Sequence, residues 1–182
     1  MPAFVRWGLV VALTVALILA VAFTIGSTMS AKIEVTRTIV IDRPPENVFW
    51  VLGDYANLAL WHPQYRSVSV ISSPGDKPMR WRATYTDGRT ADIVVSEDNP
   101  PVRYAEQISD PNLPFSGGWT LDMERLDLTT KVTAHSTAEL HRPLDRLFVR
   151  LFVKPDLEVD RILASLKRRV ESATITPAPA TS

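Results

Sequence analysis

"RPPENVFWVLGDYANLALWHPQYRSV", Arg43 to Val68, is the stretch on which the fold turns. Asp42, the prolines Pro44 and Pro45 and the early acid Glu46 read as a helix start, because proline fits the first turn and an acid suits its free N–H groups. Gly53 predicts a left-handed stop. A second short helix is expected over Tyr55 to Leu60, ending before Pro63, since the residue before a proline avoids helical geometry. After Pro63 the pattern changes from helical to alternating. Phe49, Trp50, Tyr55, Trp61 and Tyr65 fall within seventeen residues of this stretch. Phe49 and Trp50 read as packing aromatics; Trp61 and Tyr65 read either as core or as cavity wall.

Working outward, the β-branched run Ile33 to Ile41 predicts a strand on one side. On the other side Tyr65 to Ser72 is a strand, and Pro74-Gly75-Asp76 a turn. Met79, Trp81, Ala83 and Tyr85 then alternate with Arg80, Arg82 and Thr84, giving one apolar and one wet face. Asp87-Gly88 marks a hairpin. Arg89 to Glu97, Val102 to Ser109, Phe115 to Leu126 and Thr130 to Leu140 complete the sheet, with Pro100-Pro101 and Pro111 to Pro114 between them. From Leu144 to Val170 apolar residues recur at i, i+3, i+4, a helix that Pro155 is expected to kink. The order β-α-α-β-β-β-β-β-β-α is that of an α+β domain.

The first thirty residues are different. Trp7 to Ile25 holds nineteen residues without a charge, about 28 Å of helix against a hydrocarbon layer of roughly 30 Å. The run exceeds a usual signal-peptide centre, and Met29 stands where a cleavage site needs a small residue. The expected organisation is therefore a membrane anchor at 1–31, a globular domain at 32–172 and a disordered Ala/Pro/Thr tail at 173–182. Counting only Lys and Arg slightly favours a cytoplasmic domain. The short basic lead containing Arg6 favours the opposite side of the cytoplasmic membrane, and this outer placement is the expectation. Twenty basic and twenty acidic residues cancel, which argues against nucleic acid as a partner. With no cysteine, neither a disulfide framework nor a thiolate metal site is open.

Several segments together resemble the START-like helix-grip superfamily (SRPBCC), in its polyketide cyclase/dehydrase and lipid-transport branch. They are "IDRPPENV" (Ile41 to Val48), Trp61 with Pro63, "EDNPPVRY" (Glu97 to Tyr104), "GGWTLDMERL" (Gly117 to Leu126) with "TTKVTAH", and "LASLKRRVE". The resemblance spans Ile33 to Glu171 and implies a curved antiparallel sheet of about seven strands wrapped around a long C-terminal helix. It also implies an apolar cavity between sheet and helix. It carries no universal catalytic motif.

The expected cavity wall is Trp61, Trp81, Tyr85, Tyr104, Trp119, Leu121, Met123, Ala134 and Ser136, with Phe148 and Phe152 facing them from the helix. Small residues at Ala134, Ser136 and Ala138 leave space for a flat or chain-like apolar guest, reached near Trp61 or the Pro111 to Pro114 loop. Acid–base candidates are His62, Tyr65, Arg82, Asp92 and Glu106. Glu106 shares a strand phase with Val102, Tyr104 and Ile108; it either stands in an apolar wall with a raised pKa or pairs with an arginine at the sheet edge. His135 falls at an exposed strand position and His141 at a strand-to-helix corner before Arg142-Pro143, and the histidine spacing fits no metal site. No metal and no cofactor are expected.

Arg142, Arg146, Arg150 and Lys154 form a basic row that either rests on anionic headgroups or is an ordinary solvated face. Three functions are open: a membrane-anchored binding protein for an apolar small molecule or lipid, an enzyme of the polyketide cyclase/dehydrase type, and an interaction module of a membrane complex. An inward, buried Glu106 or His62 favours the enzyme, a sealed apolar cavity favours binding, and a filled core favours the interaction module.

Overall fold

In a computed structural model that describes residues 3–73, 75, 77–111 and 113–173, the alternating segments form one antiparallel sheet. Its strands are β1 (Lys32–Ile41), β2 (Tyr65–Val70), β3 (Arg80–Tyr85), β4 (Thr90–Asn99), β5 (Arg103–Ile108), β6 (Phe115–Leu126) and β7 (Thr129–Leu140). Their order is β1-β7-β6-β5-β4-β3-β2, so the first strand closes onto the last while β2 to β7 run as a meander. α2 (Pro45–Gly53) and a 3₁₀ helix (Tyr55–Leu60) bridge the two edge strands. Pro45 occupies the first turn of α2 as the sequence predicts, but Gly53 ends it without a left-handed residue; Asp54 follows at φ −83°. The predicted tail, apart from Ala173, lies outside the described residues, as do Pro74 and Asp76 of the predicted turn.

The inner face of the sheet carries Trp81, Ala83, Ile93, Val95, Tyr104, Leu121, Met123, Val132 and Ala134, all buried. α4 (Pro155–Ser172) lays Val159, Ile162, Leu163, Leu166 and Val170 on that face, and α2 adds Val48, Val51 and Leu52 at one end. Each large side chain so buried contributes roughly 1.5–3 kcal/mol. Helix and sheet hold each other because neither apolar face is satisfied alone.

The single kinked helix expected after Leu140 is instead two helices, α3 (Pro143–Phe152) and α4, separated by Val153 and Lys154. Pro155 has no N–H for the helix and pushes Lys154 out of helical geometry. Lys154 accordingly sits at φ −115°, ψ 86°. The break frees α3 from the sheet. Phe148 and Phe152, expected inside, are 58% and 71% exposed, and α3 buries none of its residues fully.

α3 packs instead on α1 (Ala3–Thr28), the apolar N-terminal helix. Residues Arg6–Thr28 of α1 are long and apolar enough to cross a membrane. Among its described side chains only Ala22 and Gly26 are covered. A Cβ at Gly26 would collide with the Pro143 carbonyl oxygen, so the close approach of the two helices depends on this glycine.

Candidate functional site

Glu106 stands at the centre of the inner sheet face, opposite Trp119 on β6 and Val95 on β4. Tyr104, two residues earlier on the same face, donates its hydroxyl to Glu106 Oε2 at 2.9 Å, and Trp119 Nε1 donates to Oε1 at 2.8 Å. The strands come close enough for this because Gly118 has no side chain; a Cβ there would strike the Glu106 carbonyl oxygen. Burial drives the Glu106 carboxyl above its usual range, and the Trp119 and Tyr104 hydrogen bonds oppose that shift without cancelling it. Burial likewise holds the Tyr104 hydroxyl well above its normal pKa, with the Glu106 charge adding to the effect. Of the two arrangements open for Glu106, the structure shows the inward one, without an arginine.

His62 approaches from the other side. It follows the 3₁₀ helix, and its backbone N–H donates to the Leu58 carbonyl at 2.9 Å. The imidazole stacks on Tyr65 with centroids 3.7 Å apart and planes 11° from parallel, and it meets Trp119 edge-on at 6.3 Å. The residue is only 5% exposed, and Nδ1 is buried with no hydrogen-bond partner. Burial lowers its pKa to about 3, so the ring is neutral over the ordinary pH range. A buried polar atom without a partner costs stability, and Nδ1 is such an atom beside a cavity.

Two spaces meet at these residues. An inner one of about 20 Å³, room for roughly one water, lies between Trp61, Trp81, Tyr104, Leu121 and the α4 residues Ile162, Leu163 and Leu166. An outer cleft of about 660 Å³ runs between β6–β7, the β3–β4 hairpin and the junction of α3 with α4. His62, Tyr65, Glu106, Trp119 and Ile162 line both and form the partition between them. The only charged or titratable groups in that partition are His62, Tyr65 and Glu106.

Of the residues assigned to the cavity from sequence, Trp61, Trp81, Tyr104 and Leu121 border the inner space, Tyr85 and Ser136 the outer cleft, and Trp119 both. Met123 and Ala134 border neither. They are closed into the core, where Ala134 pairs with Leu121 and Met123 with Val132 across the β6–β7 ladder. Phe148 and Phe152 lie outside altogether. Arg82 and Asp92 are not acid–base residues of the cavity: they pair across β3 and β4 on the outer face, at 2.5 and 2.9 Å. His135 is exposed beside Thr36, and His141 bonds Ser116 at 3.1 Å. Among the described residues no three His, Asp or Glu side chains are grouped to hold a metal ion. Sequence reasoning missed Ile162, which signals only as one more member of an apolar stripe. It also missed the cleft positions Arg89, Gln64 and Gly117, which carry no motif.

Chemically the partition offers a carboxyl group biased towards its neutral acid form beside an imidazole biased towards its neutral base form. The raised carboxyl is suited to donating a proton, whereas the lowered imidazole is a weak base that can still accept a hydrogen bond. The same pair also presents fixed polar atoms at the foot of an otherwise mostly apolar cleft, which suits a guest with one polar end.

Residues 32–171 match the family described as polyketide cyclase / dehydrase and lipid transport. No curated protein matches the chain. Among solved structures, an aromatase/cyclase from a Streptomyces species is 16% identical, with 80% of this chain and 99% of that one aligned at a TM-score of 0.63. A Thermus thermophilus protein is 22% identical over 79% of this chain and all of that one, also at 0.63. A START superfamily protein from Mycobacterium smegmatis is 14% identical over 76% and 97%, at 0.60. At these identities the likeness is one of fold: the seven-stranded sheet gripping a C-terminal helix.

Proposed function

Because the chain belongs to the polyketide cyclase/dehydrase and lipid-transport family, we propose that it is a membrane-anchored protein that binds an apolar small molecule or lipid in its outer cleft. The observation that carries this is the cleft itself, about 660 Å³ and floored by Trp119, Tyr65, Glu106 and His62. That volume is within the range of small-molecule sites. Trp119 and Tyr85 supply apolar ring surface, while Glu106 and the unpartnered Nδ1 of His62 supply the polar foot. α1 acts as the anchor, since an apolar helix of this length whose surface the protein leaves bare is satisfied by hydrocarbon. Residues 32–172 are the functional unit in this account.

A second reading is favoured by one specific feature, the buried Glu106 with its raised pKa. A carboxyl whose pKa is raised is the better placed to donate a proton to a carbonyl oxygen of the guest, while His62, a weak base at a pKa of about 3, serves to accept a hydrogen bond and orient the guest. That would make the protein a proton-transfer enzyme of the cyclase or dehydratase type. Both readings need a guest in the cleft. Native mass spectrometry of the detergent-solubilised chain, followed by organic extraction, tests their common ground: a bound small molecule, lost when Ser136→Phe fills the cleft, is expected. A chain that carries nothing and takes up no offered apolar compound contradicts both. If a guest is bound, Glu106→Gln that retains it unchanged favours binding alone, whereas accumulation of a different compound in that variant favours catalysis.

A further inference from the structure

α3 has two faces with different neighbours. Leu144, Phe148, Leu151 and Phe152, spaced i, i+4, i+7 and i+8, form one continuous apolar stripe, and each is exposed. At 100° per residue, Arg146 and Arg150 fall on the opposite side. Arg146 is tied there to the Leu140 carbonyl at 2.9 Å. Val149, and Val153 just beyond the helix, line the outer cleft. So α3 is a thin wall, with the cleft behind it and four bare apolar side chains in front.

What covers the front is indicated by α1. The two covered positions of α1 are Ala22 and Gly26, small residues four apart that allow close helix packing. Ala22 and Gly26 lie six and two residues before the end of the span at Thr28, about 9 and 3 Å along the helix axis. Amphipathic helices lying in a membrane interface bury their apolar face to about 5–10 Å. The contact of α3 with α1 therefore falls in the outermost turns of the span and overlaps the depth at which an in-plane helix sits. Asp145 is at the N-terminal turn of α3, with its Oδ2 buried and without a hydrogen-bond partner.

We propose that α3 lies in the plane of the bilayer surface with Leu144, Phe148, Leu151 and Phe152 among the acyl chains. We infer that, as the wall shared by bilayer and cleft, it lets the cleft exchange its apolar guest directly with the membrane. The inference rests on the reading of α1 as an anchor and of the cleft as a binding site. It goes beyond them in naming the membrane as the source of the guest and α3 as the portal. The expected partner surface is the hydrocarbon edge itself. Of the basic row that the sequence offered to headgroups, Arg146 and Arg150 are on the α3 face turned away from the stripe, and Arg142 and Lys154 lie outside the helix.

Because the chain contains no cysteine, single cysteines report position cleanly. The full chain is placed in phosphatidylcholine vesicles with brominated acyl chains, carrying a fluorophore at Val15→Cys, Phe152→Cys or Asp160→Cys. Quenching at 15 and 152 but not at 160 is expected. Quenching at 15 alone overturns the placement of α3 while leaving the anchor intact; no quenching at 15 removes the anchor and the inference with it. Loading is read by energy transfer from tryptophan to pyrene supplied in the vesicles, in a Trp7→Phe background. Phe148→Asp with Phe152→Asp is expected to slow loading roughly tenfold or more, with pyrene binding in detergent unchanged. An unchanged loading rate overturns the portal, and absence of pyrene binding in detergent overturns the cleft reading on which it stands.

Discussion

α3 and α4 come from one uninterrupted apolar periodicity in the sequence, and they end up in opposite circumstances. α4 buries Val159, Ile162, Leu163, Leu166 and Val170 against the sheet, while α3 leaves its stripe bare beside α1. The difference lies in one residue, Pro155, which breaks the helix and separates the part that grips the sheet from the part that does not. The comparison teaches that a periodic stripe states a need for cover without naming what provides it. For α4 the cover is the sheet. For α3 our account makes it the bilayer.

The sharpest way to break that comparison is to truncate one apolar residue in each helix and measure stability by denaturant unfolding in detergent. Leu166→Ala should cost about 2–5 kcal/mol, the range for a large-to-small change in a packed core. Leu151→Ala, at a site 64% exposed, should cost under about 0.5 kcal/mol. Equal losses at the two sites would mean that α3 belongs to the core after all.

The next effect concerns the end of the core that faces the cleft and depends on pH. His62 has a folded pKa of about 3, well below the value of 6.5 for a free histidine. Between those values the unfolded chain binds a proton that the folded one refuses. Stability should therefore fall as pH drops below about 6.5, by up to roughly 1.4 kcal/mol per unit, and His62→Phe should flatten this acid limb. Glu106 works in the other direction. Its folded pKa is raised, so its contribution is fully present below the unfolded value near 4.5 and is lost as pH rises through the folded value. Glu106→Gln should remove that loss and leave the protein at least as stable near neutral pH. Arg150 on α3 is exposed, and Arg150→Gln should leave both limbs unchanged. A Glu106→Gln variant destabilised at neutral pH would show instead that its Tyr104 and Trp119 partners require the ionised form.

A further effect is expected at the glycine that sets the site. Gly118→Ala drives a Cβ into the Glu106 carbonyl oxygen, a backbone atom of the paired strand, and should lower the melting temperature as well as weaken guest binding. An unchanged melting temperature would mean that β5 and β6 can part without cost at this point.

These contrasts mark where sequence reading succeeded and where it stopped. The strand order and the inward phases of Trp81, Tyr104 and Leu121 were legible because alternation in a half-buried strand has period two and leaves little choice. Glu106 was singled out by the same phase argument, although its partners Tyr104 and Trp119 are fixed by strand register, which a sequence does not print. Phe148 and Phe152 were misplaced because periodicity cannot tell a kink from a break. Met123 and Ala134 were assigned to a cavity that the structure sets further along the sheet, where Gly117 and Ser136 leave room. His62 carried no spacing signal at all; it is brought to Trp119 by a 3₁₀ helix whose only mark was Pro63.

The central claim, a guest seated on the Glu106–His62 floor, is tested most directly by titrating the detergent-solubilised chain with 2-naphthol while following tryptophan emission. Trp119 borders both spaces, so a ring in the cleft lies against it. The account predicts saturable quenching with micromolar affinity, abolished by Ser136→Phe at an unchanged melting temperature and weakened by Glu106→Gln. Quenching that rises linearly without saturation, and equally in all three proteins, would contradict it.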